Sequence, residues 1–312
     1  MRPSIVFMGT PDFAVPPLSV LHAADADVVL IVTQPDRPKG RGRILTPPPV
    51  KEAALQWGYA VSQPVKVREP DFIARLGELK PDFLVVVAFG QILPAQVLQI
   101  PKYGAINIHA SLLPKYRGPA PIQWALIRGE HQTGITTMLM DSGVDTGDIL
   151  LQRSICIQSH ETAGQLHDRL ARMGAELLVE TLSGLIQGSV MPRAQKHDES
   201  TYAPMLKKKD GHLHWHQPAG RLDSFVRAMT PWPGAFCYWE GRLLKILRAH
   251  SIEEFNPSAV PGTVVASFPG ELRIAANPGV LVIDELQGAS GKRMPVSEFL
   301  KGHHMAPGTV LN

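Results

Sequence analysis

Three runs in the first ninety residues leave few folds open. Ile5-Val-Phe-Met8, Val28-Val-Leu-Ile-Val-Thr33 and Phe83-Leu-Val-Val-Val-Ala88 are almost wholly apolar and rich in β-branched residues. A strand with one wet face alternates polar and apolar side chains. A continuous apolar run belongs to a strand covered on both faces, the habit of parallel sheets flanked by helices. Gly, Pro or Asp mark the boundaries, and Phe13 to Ala24 is predicted to be a helix between the first two strands. The pattern predicts a Rossmann-like α/β start. Yet Gly9-Thr-Pro-Asp12 lacks the three-glycine phosphate fingerprint, and no acidic residue ends the second run to hold a ribose, so a nicotinamide cofactor is not expected.

The most informative stretch is Gly104-Ala-Ile-Asn-Ile-His-Ala-Ser-Leu-Leu-Pro-Lys-Tyr-Arg-Gly118, a short strand running into a proline-broken loop. In Ala105–His109 the period of two sets Asn107 and His109 on one face, where both can act on one atom. Ligands of open α/β sheets bind beyond the carboxyl ends of the strands, and the Ser111–Gly118 loop falls there. Phe89-Gly90-Gln91-Ile92 follows the Phe83–Ala88 strand at the same end, and Gly90 would let the backbone approach a flat ligand. Pro119 to Arg128 is expected to be helical and Thr133 to Met140 a strand. Asp141-Ser-Gly-Val-Asp-Thr-Gly-Asp148 then offers three carboxylates, but its spacing does not match a calcium loop, so no metal is expected. Asp145 is the candidate partner that orients the His109 ring and favours its charged form. A turn carboxylate bonded to its own backbone is the alternative.

Length suggests two domains, since 312 residues is long for one core. Leucines and a methionine at helical spacing between Ser159 and Gly188 predict the long helix that ends the first domain, residues 1–188. Residues 189–205 read as a polar linker. Residues 206–312, with strands around Val264, Leu272 and Val282 separated by Pro-Gly and Asn-Pro-Gly turns, read as a small antiparallel barrel. Cys156 and Cys237 are far apart, outside any ligand pattern, and read as core residues in a reducing compartment. No apolar run approaches the roughly 20 residues needed to span a bilayer, and the first apolar run is too short for a secretory signal. A monomer in the cytosol, with no membrane association, is the expectation.

Net charge is only +3, but its distribution is uneven: residues 1–205 carry 19 basic and 19 acidic side chains, and residues 206–312 carry 12 and 9. Between Gln34 and Lys51 a long exposed cationic loop is expected. Its Arg37, Lys39, Arg41 and Arg43 could track a phosphate backbone, with glycines permitting movement. Lys207, Lys208 and Lys209 concentrate charge again. His212, His214 and His216 alternate along an apparent strand and invite a zinc reading, which lacks a fourth ligand.

Four segments together are distinctive: Gly9-Thr-Pro-Asp-Phe13, Gln34-Pro-Asp-Arg-Pro-Lys-Gly-Arg-Gly42, Asn107-Ile-His-Ala-Ser-Leu-Leu-Pro-Lys-Tyr-Arg-Gly-Pro-Ala-Pro-Ile122 and Met140-Asp-Ser-Gly-Val-Asp-Thr-Gly-Asp148. In order and spacing they resemble the methionyl-tRNA formyltransferases, and the resemblance runs essentially the full length. It implies a Rossmann-like formyltransferase domain with a C-terminal all-β barrel of the oligonucleotide-binding type. It also implies formyl transfer from 10-formyltetrahydrofolate to the amino group of methionyl initiator tRNA. Within it, Asn107, His109 and Asp145 are catalytic, and Ser111, Leu112, Leu113 and Pro114 contact the folate, joined by Phe89, Gly90, Ile92 and Asp141. Arg37, Lys39, Arg41 and Arg43 would approach the tRNA acceptor end, assisted by Lys207, Lys208 and Lys209. Other folate-dependent formyltransferases or hydrolases, and a non-catalytic RNA-binding relative, are the competing readings.

Overall fold

The computed structural model describes residues 2–40, 42–253, 259–268, 270–288 and 291–312. The chain divides into two compact units. The first is Met1–Pro121, Gln132–Cys156 and His167–Ala203; the second is Ile122–His131, Ile157–Leu166 and Pro204–Asn312.

The first unit is built on one sheet. Its strands are β1 (Ser4–Gly9), β2 (Asp27–Val32), β5 (Val61–Ser62), β6 (Phe83–Val87), β7 (Ala105–His109), β8 (Gln132–Leu139) and β9 (Ile149–Cys156), in the order β5-β2-β1-β6-β7-β8-β9. The five from β5 to β7 are parallel, and β8 and β9 add on as antiparallel strands. The chain leaves β1 towards β2 and returns on the other side through β6, which creates the crevice where such sheets bind ligands. The apolar runs behave as their composition requires. Every residue of β6 and all of β1 except Ser4 are buried, each large side chain contributing about 1.5–3 kcal/mol.

Helices α1 (Val15–Ala23), α2 (Pro49–Gln56), α3 (Pro70–Leu79) and α4 (Ala95–Leu98) connect the parallel strands. Phe72 and Leu76 of α3 and Val97 of α4 join Val6, Met8, Leu30, Leu84 and Val86 in one core. The long helix α6 (Ala163–Gln187) packs against β7 and β8. A Cβ on its Gly174 would lie 2.9 Å from Ile108 Cγ2, and Thr181 bonds Thr137 at 2.8 Å. No described helix is long and apolar enough to cross a membrane.

The cationic segment after β2 is more ordered than its composition suggests. It folds as a hairpin of β3 (Arg37–Lys39) and β4 (Ile44–Thr46), with Arg37 opposite Thr46 and Lys39 opposite Ile44. Gly40 at φ +73° and Arg43 at φ +48° turn the chain. The base is clamped: Lys51 Nζ donates to both Asp36 carboxylate oxygens and to Gln63 Oε1, each at 2.8 Å, while Gln63 Nε2 donates to Gln34 O at 2.8 Å. Lys51, and then Gln63, hold the Asp36 carboxyl below its ordinary range. These long-range bonds fix what local sequence leaves open.

The second unit carries helix α5 (Pro121–Ile127), helix α7 (Ala219–Met229), helix α8 (Val296–Gly302) and an antiparallel sheet. The strands are β10 (Ala235–Trp239), β11 (Arg242–Ile252), β12 (Val264–Phe268), β13 (Glu271–Ala275), β14 (Val280–Gln287) and β15 (Arg293–Pro295). Their order is β10-β11-β14-β13-β12, with β15 on β14. The last residues close the ring. Tyr238 of β10 exchanges two backbone bonds with Asn312, and Val264 of β12 donates to Thr309 O at 2.8 Å while Leu311 donates to Gly262 O at 2.9 Å. Closure removes the two open edges, which is the purpose of a barrel. The barrel thus starts upstream of Val260, at β10, and two helices not expected from the turn pattern accompany it.

Two further expectations are corrected. Cys237 is buried, but Cys156 is exposed because it ends β9, the sheet's outer strand, where inward and outward side chains alternate. The three histidines do not lie on one strand: only His212 makes a β-bridge, to Phe236, and a turn closed by Gln217 N to His214 O at 3.0 Å carries His216 away.

Candidate active site

Strand β7 runs along the junction between the parallel and antiparallel parts of the sheet, and its last residues carry the candidate chemistry. Asn107 is half-buried and His109 buried, on one face as the alternation requires. The His109 ring is anchored through one nitrogen and faces a carboxylate with the other. Nε2 lies 2.9 Å from the Tyr116 carbonyl. A carbonyl only accepts, so Nε2 carries the hydrogen of that bond. Nδ1 faces Asp145 Oδ2 at 3.6 Å. The Asn107 amide has no protein partner among the described residues and stays available as a donor.

Asp145 is held in a left-handed conformation, φ +53°, which an Asp tolerates better than most residues. Its Oδ2 accepts from Gly118 N at 2.8 Å. Gly118 itself has φ +106°, and a Cβ there would lie 2.9 Å from the Ala203 carbonyl, so only glycine fits. Behind the loop lies an arrangement that local sequence does not reveal. Gln195 Nε2 donates to the carbonyls of Asp145 at 3.0 Å and Gly147 at 2.6 Å. Its Oε1 accepts from Arg117 Nε at 3.1 Å and from a terminal Arg117 nitrogen at 2.7 Å. Arg117 also meets His197 Nδ1 at 3.1 Å. Gln195 and Arg117 are both buried, so they act as a brace.

The Ser111–Pro114 loop is pinned to β8. Thr136 Oγ1 donates to Ser111 O at 2.7 Å and accepts from Leu113 N at 3.1 Å, and Gln152 Nε2 donates to Leu113 O at 2.8 Å. Ser111 is fully buried, with its hydroxyl donating to Lys115 O at 2.6 Å. In this conformation it shapes the loop and offers no surface to a ligand, because its hydroxyl is spent on closing the turn. Leu113 is likewise buried, against Met138 and Ile149. Leu112 and Pro114 are half-buried. Asp141, exposed, accepts from Thr146 Oγ1 and Gly143 N and so closes its own turn.

At the end of β6, the Phe89 side chain is core, and its carbonyl accepts from Thr10 Oγ1 at 2.9 Å and Gln34 Nε2 at 3.3 Å. Gly90 is exposed at φ +85°, and Ile92 is exposed. A cavity of about 490 Å³ runs from Phe89 and Gly90 past Thr10 and Gln34 to Arg37 and Lys39 of the hairpin. It joins the strand ends to the cationic segment, although Asn107 and His109 do not line it. Arg37, Lys39 and Arg43 are exposed on the hairpin beside Ile44 and Leu45, whose apolar side chains are also exposed; Arg41 lies outside the described residues. In the second unit, Lys207, Lys208 and Lys209 are exposed around a short 3-10 turn. Among the described residues no group of His, Cys, Asp or Glu has the arrangement of a metal site.

An open α/β sheet with an Asn–His–Asp set at its strand ends, followed by a closed antiparallel barrel, defines a class that comparison with known proteins identifies. The family model described as "Formyl transferase" matches residues 3–182 and that described as "Formyl transferase, C-terminal domain" matches residues 205–304. The chain belongs to the formyl transferase family. Its similarity is strong to the methionyl-tRNA formyltransferase of Citrifermentans bemidjiense, 50% identical over 307 residues that cover 98% of this chain and 96% of the relative. Among solved structures, the fold resembles an N-formyltransferase from Helicobacter canadensis in complex with folinic acid and dTDP-3-aminofucose, with a TM-score of 0.68, 19% identity and coverage of 91% of this chain and 98% of that one. It also resembles HypX from Aquifex aeolicus in complex with tetrahydrofolic acid, with a TM-score of 0.62, 20% identity and coverage of 97% of this chain. The chain spans about half the length of HypX, 48%.

Proposed function

We propose that this protein transfers the formyl group of 10-formyltetrahydrofolate to the α-amino group of methionyl initiator tRNA, in the cytoplasm. Near-full-length identity with a methionyl-tRNA formyltransferase supports the acceptor, and family relatives solved with folates support the donor. The observation that carries the mechanism is the His109 ring, fixed through Nε2 on Tyr116 O with Nδ1 turned to Asp145.

The folate supplies an activated formyl carbon and a nitrogen leaving group. Asn107 and the Nδ1–H of protonated His109, which at 3.6 Å is not hydrogen-bonded to Asp145, donate to the formyl oxygen as negative charge develops there, each donor lowering the barrier by about 2.7–4 kcal/mol. Asp145 keeps the imidazolium beside that oxygen and, directly or through a water, accepts a proton from the attacking amine. A carbon–nitrogen bond forms to the amine and the one to folate breaks, while the proton passes to the departing folate nitrogen. No side chain becomes acylated. Leu112, Pro114, Gly90 and Ile92 present the outward surface for the folate, with Ser111, Leu113, Phe89 and Asp141 shaping it. Arg37, Lys39, Arg41 and Arg43 neutralise phosphates of the acceptor stem, and Lys207 to Lys209 meet phosphates of the tRNA as well. Residues 1–188 carry the chemistry, the connecting segment 189–205 braces it through Gln195, and 206–312 help to hold the tRNA.

The test is to supply 10-formyltetrahydrofolate with methionyl-tRNA, glycinamide ribonucleotide or buffer alone and to follow folate release. Rapid release with methionyl-tRNA only is expected. Equal release with buffer would make the protein a hydrolase, and no release in any mixture would leave it a binding protein.

A further inference from the structure

The second unit contains a cavity of about 420 Å³ that none of the residues assigned to formyl transfer lines. One wall is apolar and aromatic: Trp124 of α5 with Leu222 and Phe225 of α7. The indole is fixed in place, since Trp124 Nε1 donates to Pro204 O at 2.9 Å. Arg128, four residues on, holds its guanidinium 5.8 Å from the centre of the Trp124 ring. Arg221 approaches from α7 and donates to the carbonyls of Ile127 and Arg128 that end α5. Neither guanidinium has a carboxylate partner among the described residues, and both are exposed at the cavity. His212 also lines the cavity. Its ring stacks on Phe236 at 5.3 Å, yet its Nε2 is buried without a hydrogen-bond partner.

The aromatic wall and the two guanidiniums select one kind of ligand. A flat aromatic wall beside two uncompensated cations suits a planar ring that carries an anion. A bare inorganic anion would leave the aromatic wall unused. An acyl chain would leave the guanidiniums without an anionic partner. The volume falls within the range of small-molecule sites, about 300–1,000 Å³.

We propose that this cavity binds a nucleoside monophosphate unit. The base lies against Trp124, and the phosphate meets Arg128 and Arg221. The same chemistry is offered by a free nucleotide and by an unpaired nucleotide of an RNA chain.

The experiment titrates the full chain with AMP, adenosine and ribose 5-phosphate by calorimetry, without any formyl donor, so that the outcome is independent of turnover. AMP should bind saturably at one site, and adenosine and ribose 5-phosphate should each bind at least about tenfold more weakly. Arg128→Gln, an exposed change that does not touch the core, should bring AMP down to the affinity of adenosine. Trp124→Leu should weaken AMP and adenosine alike. Competition of AMP by methionyl-tRNA would assign the site to a nucleotide of the RNA, and undiminished AMP binding at saturating tRNA would assign it to a free nucleotide. Absence of saturable AMP binding at millimolar concentration, or AMP binding unchanged in both folded variants, would overturn the proposal.

Discussion

Replacing Gln195 with Ala asks whether the Asp145 loop is held from behind. The amide donates to two backbone carbonyls, of Asp145 at 3.0 Å and Gly147 at 2.6 Å, and accepts twice from the buried Arg117 guanidinium. A typical buried hydrogen bond contributes about 1 kcal/mol net and one to a charged group about 1.5–3 kcal/mol, so with the fork onto the single Arg117 guanidinium counted once the truncation should cost about 3.5–5 kcal/mol. That is a large share of the roughly 5–15 kcal/mol that holds a domain together. Gln195→Glu separates the two halves of the effect, because it keeps an acceptor for Arg117 and removes the donor to both carbonyls. In urea unfolding the Ala variant should lose the full amount and the Glu variant distinctly less. Both should lower kcat, since Asp145 is no longer held opposite His109 Nδ1, with KM for methionyl-tRNA within about twofold of wild type. Stability within about 1 kcal/mol of wild type in Gln195→Ala, together with unchanged kcat, would show that the brace is incidental.

Asn107→Ala removes one donor to the developing charge and should reduce kcat by about 100- to 1,000-fold with folate binding little changed; a folded variant within a few-fold of wild type would exclude the role. On the hairpin, Arg37→Gln with Arg43→Gln should flatten the salt dependence of methionyl-tRNA binding by about 0.7–0.9 per lost phosphate contact, and identical slopes would mean that the hairpin touches no phosphate. His167 is raised above its ordinary value of 6.5, chiefly by Asp12 at 3.5 Å with Asp168 adding and burial opposing, and Asp12 is lowered below 3.8, chiefly by His167 with burial opposing. The contribution of His167 is fully present below its unfolded pKa and lost as pH rises through the raised value; that of Asp12 is present above its unfolded pKa and lost as pH falls through the lowered one. The stability difference between wild type and Asp12→Asn should therefore be greatest between about pH 4 and 6.5 and shrink on either side; a difference flat in pH would refute the coupling. Burial pushes the Cys237 thiol up to about 12 while Cys156 is exposed, so a disulfide reagent should titrate one thiol in the native protein and two in denaturant; two fast native thiols would contradict the packing.

Much of this molecule is legible in its sequence because the relevant physics is local. The wholly apolar runs of β1 and β6 announce strands covered on both faces, and the period of two in Ala105–His109 puts Asn107 and His109 side by side without reference to anything distant. Asp145 is a candidate partner of His109 by residue type alone, but with 36 residues between them no local pattern chooses that pairing over a carboxylate bonded to its own turn; the family resemblance does. Long-range hydrogen bonds decided the rest. Tyr116 O fixes which imidazole nitrogen is free, and Gln195 braces a loop 50 residues before it. Lys51 and Gln63 clamp what composition presents as a loose cationic loop, and Asn312 closes the barrel onto Tyr238. A polar side chain or carbonyl gives no sign in sequence of which distant partner will satisfy it. Only burial, which makes an unpaired group costly, forces the choice.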